Sequence, residues 1–158
     1  MLRYCVPSRT EGRVADPERH SVLRTDDRLA IMHTLSLNGH LVDGGHLDRF
    51  HEIFTADVVY DLSAAGVGTA EGLAAVRGAA RGMAEAGVGP LAHHVTNVVI
   101  IGEEDGVATV ESKVLLLMRT GALESAVQRD TLRREDGAWR ISRRVVTPLG
   151  TVALEGAR

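Results

Sequence analysis

Pro90-Leu-Ala-His-His-Val-Thr-Asn-Val-Val-Ile-Ile101 is the stretch on which the reading of this chain turns. A run of Val, Ile and Thr, opened by a proline and closed by Gly102, predicts a long β-strand. Strand side chains alternate, so His93, Val95, Asn97, Val99 and Ile101 share one face and His94, Thr96, Val98 and Ile100 the other. Histidine and asparagine early in the strand, followed by apolar residues on both faces, predict that it lines a cavity. A bulge would shift the register and exchange the roles of the two histidines.

Three more strands are expected after it: Val107–Met118, Ser125–Arg134 and Trp139–Leu149. Short turns join them, with Asp136-Gly137 a tight hairpin signal. Four long strands so connected form an antiparallel meander. Before the strand come three helical segments. The first is capped by Asp26 or Asp27, carries an apolar stripe of Leu29, Met32, Leu35, Leu41 and Val42, and ends near Asp43 before Gly44-Gly45. A short helix over about 46–53 turns Leu47, Phe50 and Phe54 inward. Thr55-Ala-Asp57 reads as a turn, Val58–Leu62 as a short strand and 66–72 as a glycine-rich loop. A third helix over about 71–86 presents Leu73, Val76 and Met83. The resulting class is α+β, with three N-terminal helices covering one face of a curved antiparallel sheet. A flexible arm is expected over 1–24, one domain over 25–149 and a tail over 150–158.

Composition removes several functions. A net charge of −3 gives no basic footprint for nucleic acid, and two Phe, two Tyr and one Trp are too few to stack bases. Cys5 is alone, so no internal disulfide forms. No apolar run suits a membrane span or a signal peptide, so a cytoplasmic protein is expected. The glycine-rich loop lacks the Gly-Lys-Ser/Thr ending of a phosphate loop, and His46 and His51 are five apart, unsuited to one helix face. Neither a cofactor nor a metal is expected. The Val107–Met118 strand is apolar on both faces, which predicts a homodimer covering the face the helices leave bare.

Several motifs recur in a telling order: Asp43-Gly-Gly-His-Leu-Asp48, Phe54-Thr-Ala-Asp-Val-Val-Tyr60, His93-His-Val-Thr-Asn97, Gln128-Arg-Asp130, and Gly137-Ala-Trp-Arg-Ile141 with Arg144. Over about residues 26–149 the chain resembles the SnoaL-like group of the nuclear-transport-factor-two-like superfamily. That resemblance implies a cone-shaped barrel and a group that includes polyketide cyclases, dehydratases, ketosteroid isomerases and epoxide hydrolases, beside non-catalytic members. In its dehydratase branch an acid ending the first helix works with a strand histidine, and Asp43 and His93 fall on those positions. A carboxylate beside an imidazole orients it and raises its basicity for removing a proton next to a carbonyl. The branch's tyrosine, five residues before the acid, is here Asn38. His40, Tyr60, Asn97, Met118 and Arg144 complete the expected contacts to a small hydrophobic substrate.

Two other functions fit the same pattern. A non-catalytic ligand-binding or assembly module, such as the small subunit of a ring-hydroxylating dioxygenase, needs no dyad and has a cone filled by large side chains. An epoxide hydrolase needs an Asp–Arg–Asp set holding a water, for which Asp130, Arg144 and Asp43 supply the residue types. Asp130 and Arg144 also suit a plain cross-strand ion pair.

Overall fold

The computed structural model describes residues 23–152. Helix α1 spans Thr25–Asp43, and a 3₁₀ helix over Leu47–Glu52 leads into strand β1, Phe54–Leu62. Strand β2 (Gly68–Glu71) and helix α2 (Leu73–Ala86) precede four long strands: β3 Pro90–Glu104, β4 Val107–Met118, β5 Leu123–Glu135 and β6 Ala138–Val152. Asp105-Gly106 and Asp136-Gly137 both have positive φ at each residue, the geometry that lets a two-residue turn follow the twist of its strands. They set β3–β4 and β5–β6 as hairpins.

The sheet order is β2-β1-β6-β5-β4-β3. The meander is antiparallel as expected, but β1 pairs with β6 in parallel, so the sheet is mixed. It is not closed into a barrel, since β2 and β3 are its two edges. The α+β cone fold stands with that correction.

Three local expectations are also corrected. Thr55-Ala-Asp57 belongs to β1, where the β1–β6 register shifts between Phe54 and Val59. The glycine-rich segment is not merely a loop, because residues 68–71 pair with β1 as β2. Neither Asp26 nor Asp27 caps α1; the N-cap is Arg24, and both acids lie in the first turn, where the helix dipole favours them. The expected arm and tail, with Cys5, fall largely outside the described residues, although Leu23 is buried in the core and β6 runs on through Val152.

The inward stripe of α1 is not the one its largest apolar residues suggest. Leu29 and Met32 are 60% and 45% exposed, while Asp27, Ile31, Thr34, Leu35, Asn38, Gly39 and Leu41 are buried. Asp27 and Thr34 sit on this face because each finds a partner there. Asp27 accepts hydrogen bonds from Trp139 Nε1 (2.9 Å) and Arg134 Nη2 (2.8 Å), and Thr34 donates to the Trp139 carbonyl (2.9 Å). These bonds hold the first half of α1 on the start of β6. The second half packs on β3. Around that frame Ile31, Leu35, Phe50, Ile53, Phe54, Val58, Val110, Leu132 and Ile141 form the core.

A bulge in β3 changes which residues face inward. Thr96 pairs with Lys113 and Val99 with Glu111, so Asn97 and Val98 together oppose Ser112. Asn97 takes φ 51°, a conformation asparagine tolerates better than its β-branched neighbours. Beyond it the alternation inverts. Val98 and Ile100 pack against the core, whereas Val99 and Ile101 are 58% and 56% exposed.

Candidate active site

The C-terminal end of α1 and the start of β3 meet at one residue pair. Asp43, the last residue of α1, accepts the backbone N–H of His93 at Oδ2 (3.0 Å). Its Oδ1 lies 2.6 Å from His93 Nδ1. A carboxylate only accepts, so Nδ1 carries the hydrogen, and in the neutral ring it is Nε2 that holds the lone pair. Two bonds from one carboxylate fix both the ring's tautomer and its rotation. The side chains keep 16% (His93) and 25% (Asp43) of their surface, which leaves the pair reachable without being awash in solvent.

His93 forms part of the wall of a cavity of about 170 Å³ between α1, α2, β1 and β2. Asn38 and Tyr60 supply further polar atoms to that wall. Val42, Phe50, Phe54, Leu62, Val76, Ala80 and Met83 make the rest predominantly apolar. Phe50 meets Phe54 edge-to-face with centroids 5.5 Å apart, and Phe54 meets Tyr60 at 6.0 Å. Such edge contacts give the wall a rigid aromatic side. Asn38 is 3% exposed and makes no side-chain hydrogen bond to any described residue, so its amide is left to whatever occupies the cavity.

Behind Phe54 and Tyr60 lies Arg144, fully buried. Its Nε and Nη2 donate to the two Asp130 oxygens at 2.7 and 2.9 Å. Its guanidinium carbon is 5.9 Å from the Phe54 centroid and 5.7 Å from that of Tyr60. Burial works against its charge, but Asp130 and Tyr60 together more than offset this and raise its pKa. Arg144 therefore backs the cavity wall and does not line it. Asp130 and Arg144 are hydrogen-bonded to each other while Asp43 is committed to His93, so the three do not form one water-holding set.

Other expected contacts also fall elsewhere. His40 is exposed, because α1 turns it away from the sheet. Asn97 is exposed at the bulge, and Met118 ends β4 at the turn, its N–H bonded to Ala122 O. His94 is exposed opposite Leu115 on the outer face. The cavity-facing residues Val76, Ala79, Ala80 and Met83 on α2 have only a weak sequence signal, an alanine-rich stripe with a few larger residues. Among the described residues no group of three or more His, Cys, Asp or Glu is placed to hold a metal ion. None of the described helices is long and apolar enough to cross a membrane.

Solved structures of the same fold place this geometry in context. LinA matches with a TM-score of 0.75 and 24% identity over 84% of this chain and 92% of its own. A hexachlorocyclohexane dehydrochlorinase (LinA) type 2 matches at 0.68 and 22% identity over 84% and 92%. A protein of Novosphingobium aromaticivorans, provisionally assigned as a scytalone dehydratase, matches at 0.67 and 21% identity over 82% and 89%. No curated protein matches the sequence. The model of the SnoaL-like domain matches residues 23–145, from the start of α1 into β6 and so including both Asp43 and His93. The chain belongs to the SnoaL-like domain family of the nuclear-transport-factor-two-like superfamily.

Proposed function

We propose that the protein is a cofactor-independent acid/base enzyme that dehydrates, isomerises or cyclises a small hydrophobic, carbonyl-bearing intermediate of the polyketide or a related secondary-metabolic class. One observation carries the reading: an imidazole, held by a carboxylate in the Nδ1–H tautomer, stands in the wall of an apolar cavity. A filled cone with Asp43 and His93 apart would have favoured the binding-module alternative.

The chemistry follows from the geometry. Nε2 of His93 takes the proton next to the substrate carbonyl. Asp43 stabilises the imidazolium that forms, through the Nδ1–H bond already in place. The Asn38 amide donates to the oxygen on which negative charge develops, a role that needs a donor and not an acid. The imidazolium then returns its proton to a departing hydroxyl or to the enolate carbon. Apolar walls strengthen each step by excluding water. The names of the hexachlorocyclohexane dehydrochlorinase and of the dehydratase-like neighbour are consistent with elimination chemistry in this fold.

Turnover of a panel of β-hydroxy ketones and polyketide-like enones tests this. His93→Ala is expected to lower kcat by about 10²- to 10⁴-fold, the range one placed acid/base supplies. Near-wild-type turnover by His93→Ala would overturn the mechanism.

A homodimer through the outer sheet face is proposed as well. Val99, Ile101 and Leu115 are exposed there at 58%, 56% and 38%. Sedimentation at micromolar concentration should give a dimer; a monomer rejects it.

A further inference from the structure

Gly39 lies one helical turn before Asp43, in the stretch of α1 that docks on β3. A methyl group built on it would lie 2.8 Å from the His93 carbonyl oxygen and 3.5 Å from His93 Cβ. The obstacle at 2.8 Å is backbone in a paired strand, which cannot swing aside as a side-chain tip would. Mid-helix glycine is disfavoured relative to alanine, so the position gives up helix propensity in return for close approach. The Asp43 carboxylate also meets His93, at its backbone N–H and at Nδ1. One turn of helix thus touches a single strand residue at its carbonyl, its amide and its ring.

We infer that Gly39 is a positioning residue, whose missing side chain sets the separation of α1 from β3 at which the Asp43 carboxylate holds the His93 imidazole. The inference rests on the acid/base reading for its effect on turnover, but not for its effect on the hydrogen bond. Replacing Gly39 by alanine must either push α1 outward or drive the last turn out of line. Each lengthens the 2.6 Å Nδ1–Oδ1 contact while leaving both residues present.

The test uses the full chain with ¹⁵N-labelled histidine, the His93 signals being assigned by their loss in His93→Gln. In Gly39→Ala the Nδ1–H proton of His93 should move upfield and the bias toward one tautomer should weaken. Gly78→Ala is the control for helix propensity, because nothing lies within 4 Å of the added methyl there; it should leave both signals unchanged. Turnover of the enone panel by Gly39→Ala should fall about tenfold to a hundredfold in kcat with KM little changed, as expected for a displaced catalytic contact. Asp43→Glu reads the same separation from the other side. With Gly39 in place, the longer acid overshoots and loses the Nδ1–H signature. With Gly39→Ala it spans the added gap and recovers several-fold of the lost kcat.

An unchanged His93 signature in Gly39→Ala, or purely additive losses in the double variant, would overturn the inference. Should Gly39→Ala not fold, retention of the Nδ1–H signature in Asp43→Glu alone would also overturn it. If His93→Ala keeps its turnover, the acid/base reading fails, and the spectroscopic arms still decide the role of Gly39.

Discussion

Arg144 and Asp130 face each other across β6 and β5 as a bidentate ion pair with both side chains fully buried. Arg144 Nη1 has no hydrogen-bond partner among the described residues, so the pair is satisfied on one side only. Its charge is compensated by one carboxylate and two aromatic faces. Breaking such a pair leaves an isolated buried charge, whereas removing both members leaves an apolar gap that neighbours can fill.

The prediction concerns stability. Asp130→Leu alone should destabilise the fold by about 3–5 kcal/mol, because the guanidinium loses its counter-ion inside the cone. Asp130→Leu with Arg144→Met should recover most of that loss. Urea unfolding decides it, and a double variant no better than the single one would show that the pair is itself a net stabiliser.

Asn97 offers a second prediction, drawn from its φ of 51°. Asn97→Val should lower stability by about 1–3 kcal/mol, the range for a strained non-glycine residue held outside its preferred conformation. If the strand instead straightens to relieve the strain, residues beyond position 97 change faces. Val99 and Ile101 would turn inward, and protection of exposed amides on β3 would change with them. Hydrogen exchange along β3 separates the two outcomes.

That same residue marks where sequence reading stops. Alternation places His93 and Val95 on the inner face, and the cavity and core contain both. It then fails at Val99, because an inserted residue inverts the pattern and leaves no sign in hydrophobicity. In α1, large apolar residues point to Leu29 and Met32 as inward, yet Asp27 and Thr34 hold the inner positions through partners on Trp139 more than 100 residues away. Long-range hydrogen bonds of this kind are invisible to periodicity. The nearness of Asp43 to His93 is legible only through family resemblance, since nothing local to either residue implies the other. Gly39 does leave a local trace, as a glycine where a helix would take alanine.

A third prediction concerns acid. Hydrogen bonds from Arg133 chiefly, at 2.6 and 3.2 Å, hold the Asp57 carboxyl well below its ordinary value of 3.8, at about 2. A carboxylate whose folded pKa is depressed contributes its full stability above the unfolded value. That contribution declines as pH falls from near 4 toward 2. Asp57 keeps 66% of its side-chain surface, so water screens the pair and its worth stays below about 1 kcal/mol. Asp57→Asn should therefore unfold only slightly more easily at neutral pH, and its stability should fall less steeply than wild type over that acidic window. Parallel stability profiles from pH 5 to 2 would refute the assignment.

The last prediction turns on Asn38, whose amide is buried at 3% exposure without a protein partner on its side chain among the described residues. A cavity-facing amide with no partner among the described residues is free to pair with a ligand oxygen. Asn38→Leu is close in size and removes both polar atoms, so it should be neutral or slightly stabilising, by up to about 1 kcal/mol, in thermal or urea unfolding. Turnover should move the other way. If Asn38 donates to an oxygen that gains charge in the reaction, its loss should lower kcat by about 10²-fold, as removing a single oxyanion donor does. A fall in affinity alone would instead mean that Asn38 binds the ground state and the reacting oxygen equally. Loss of stability in Asn38→Leu would mean that the amide serves the fold, and the cavity's polar edge would then reduce to His93 and Tyr60.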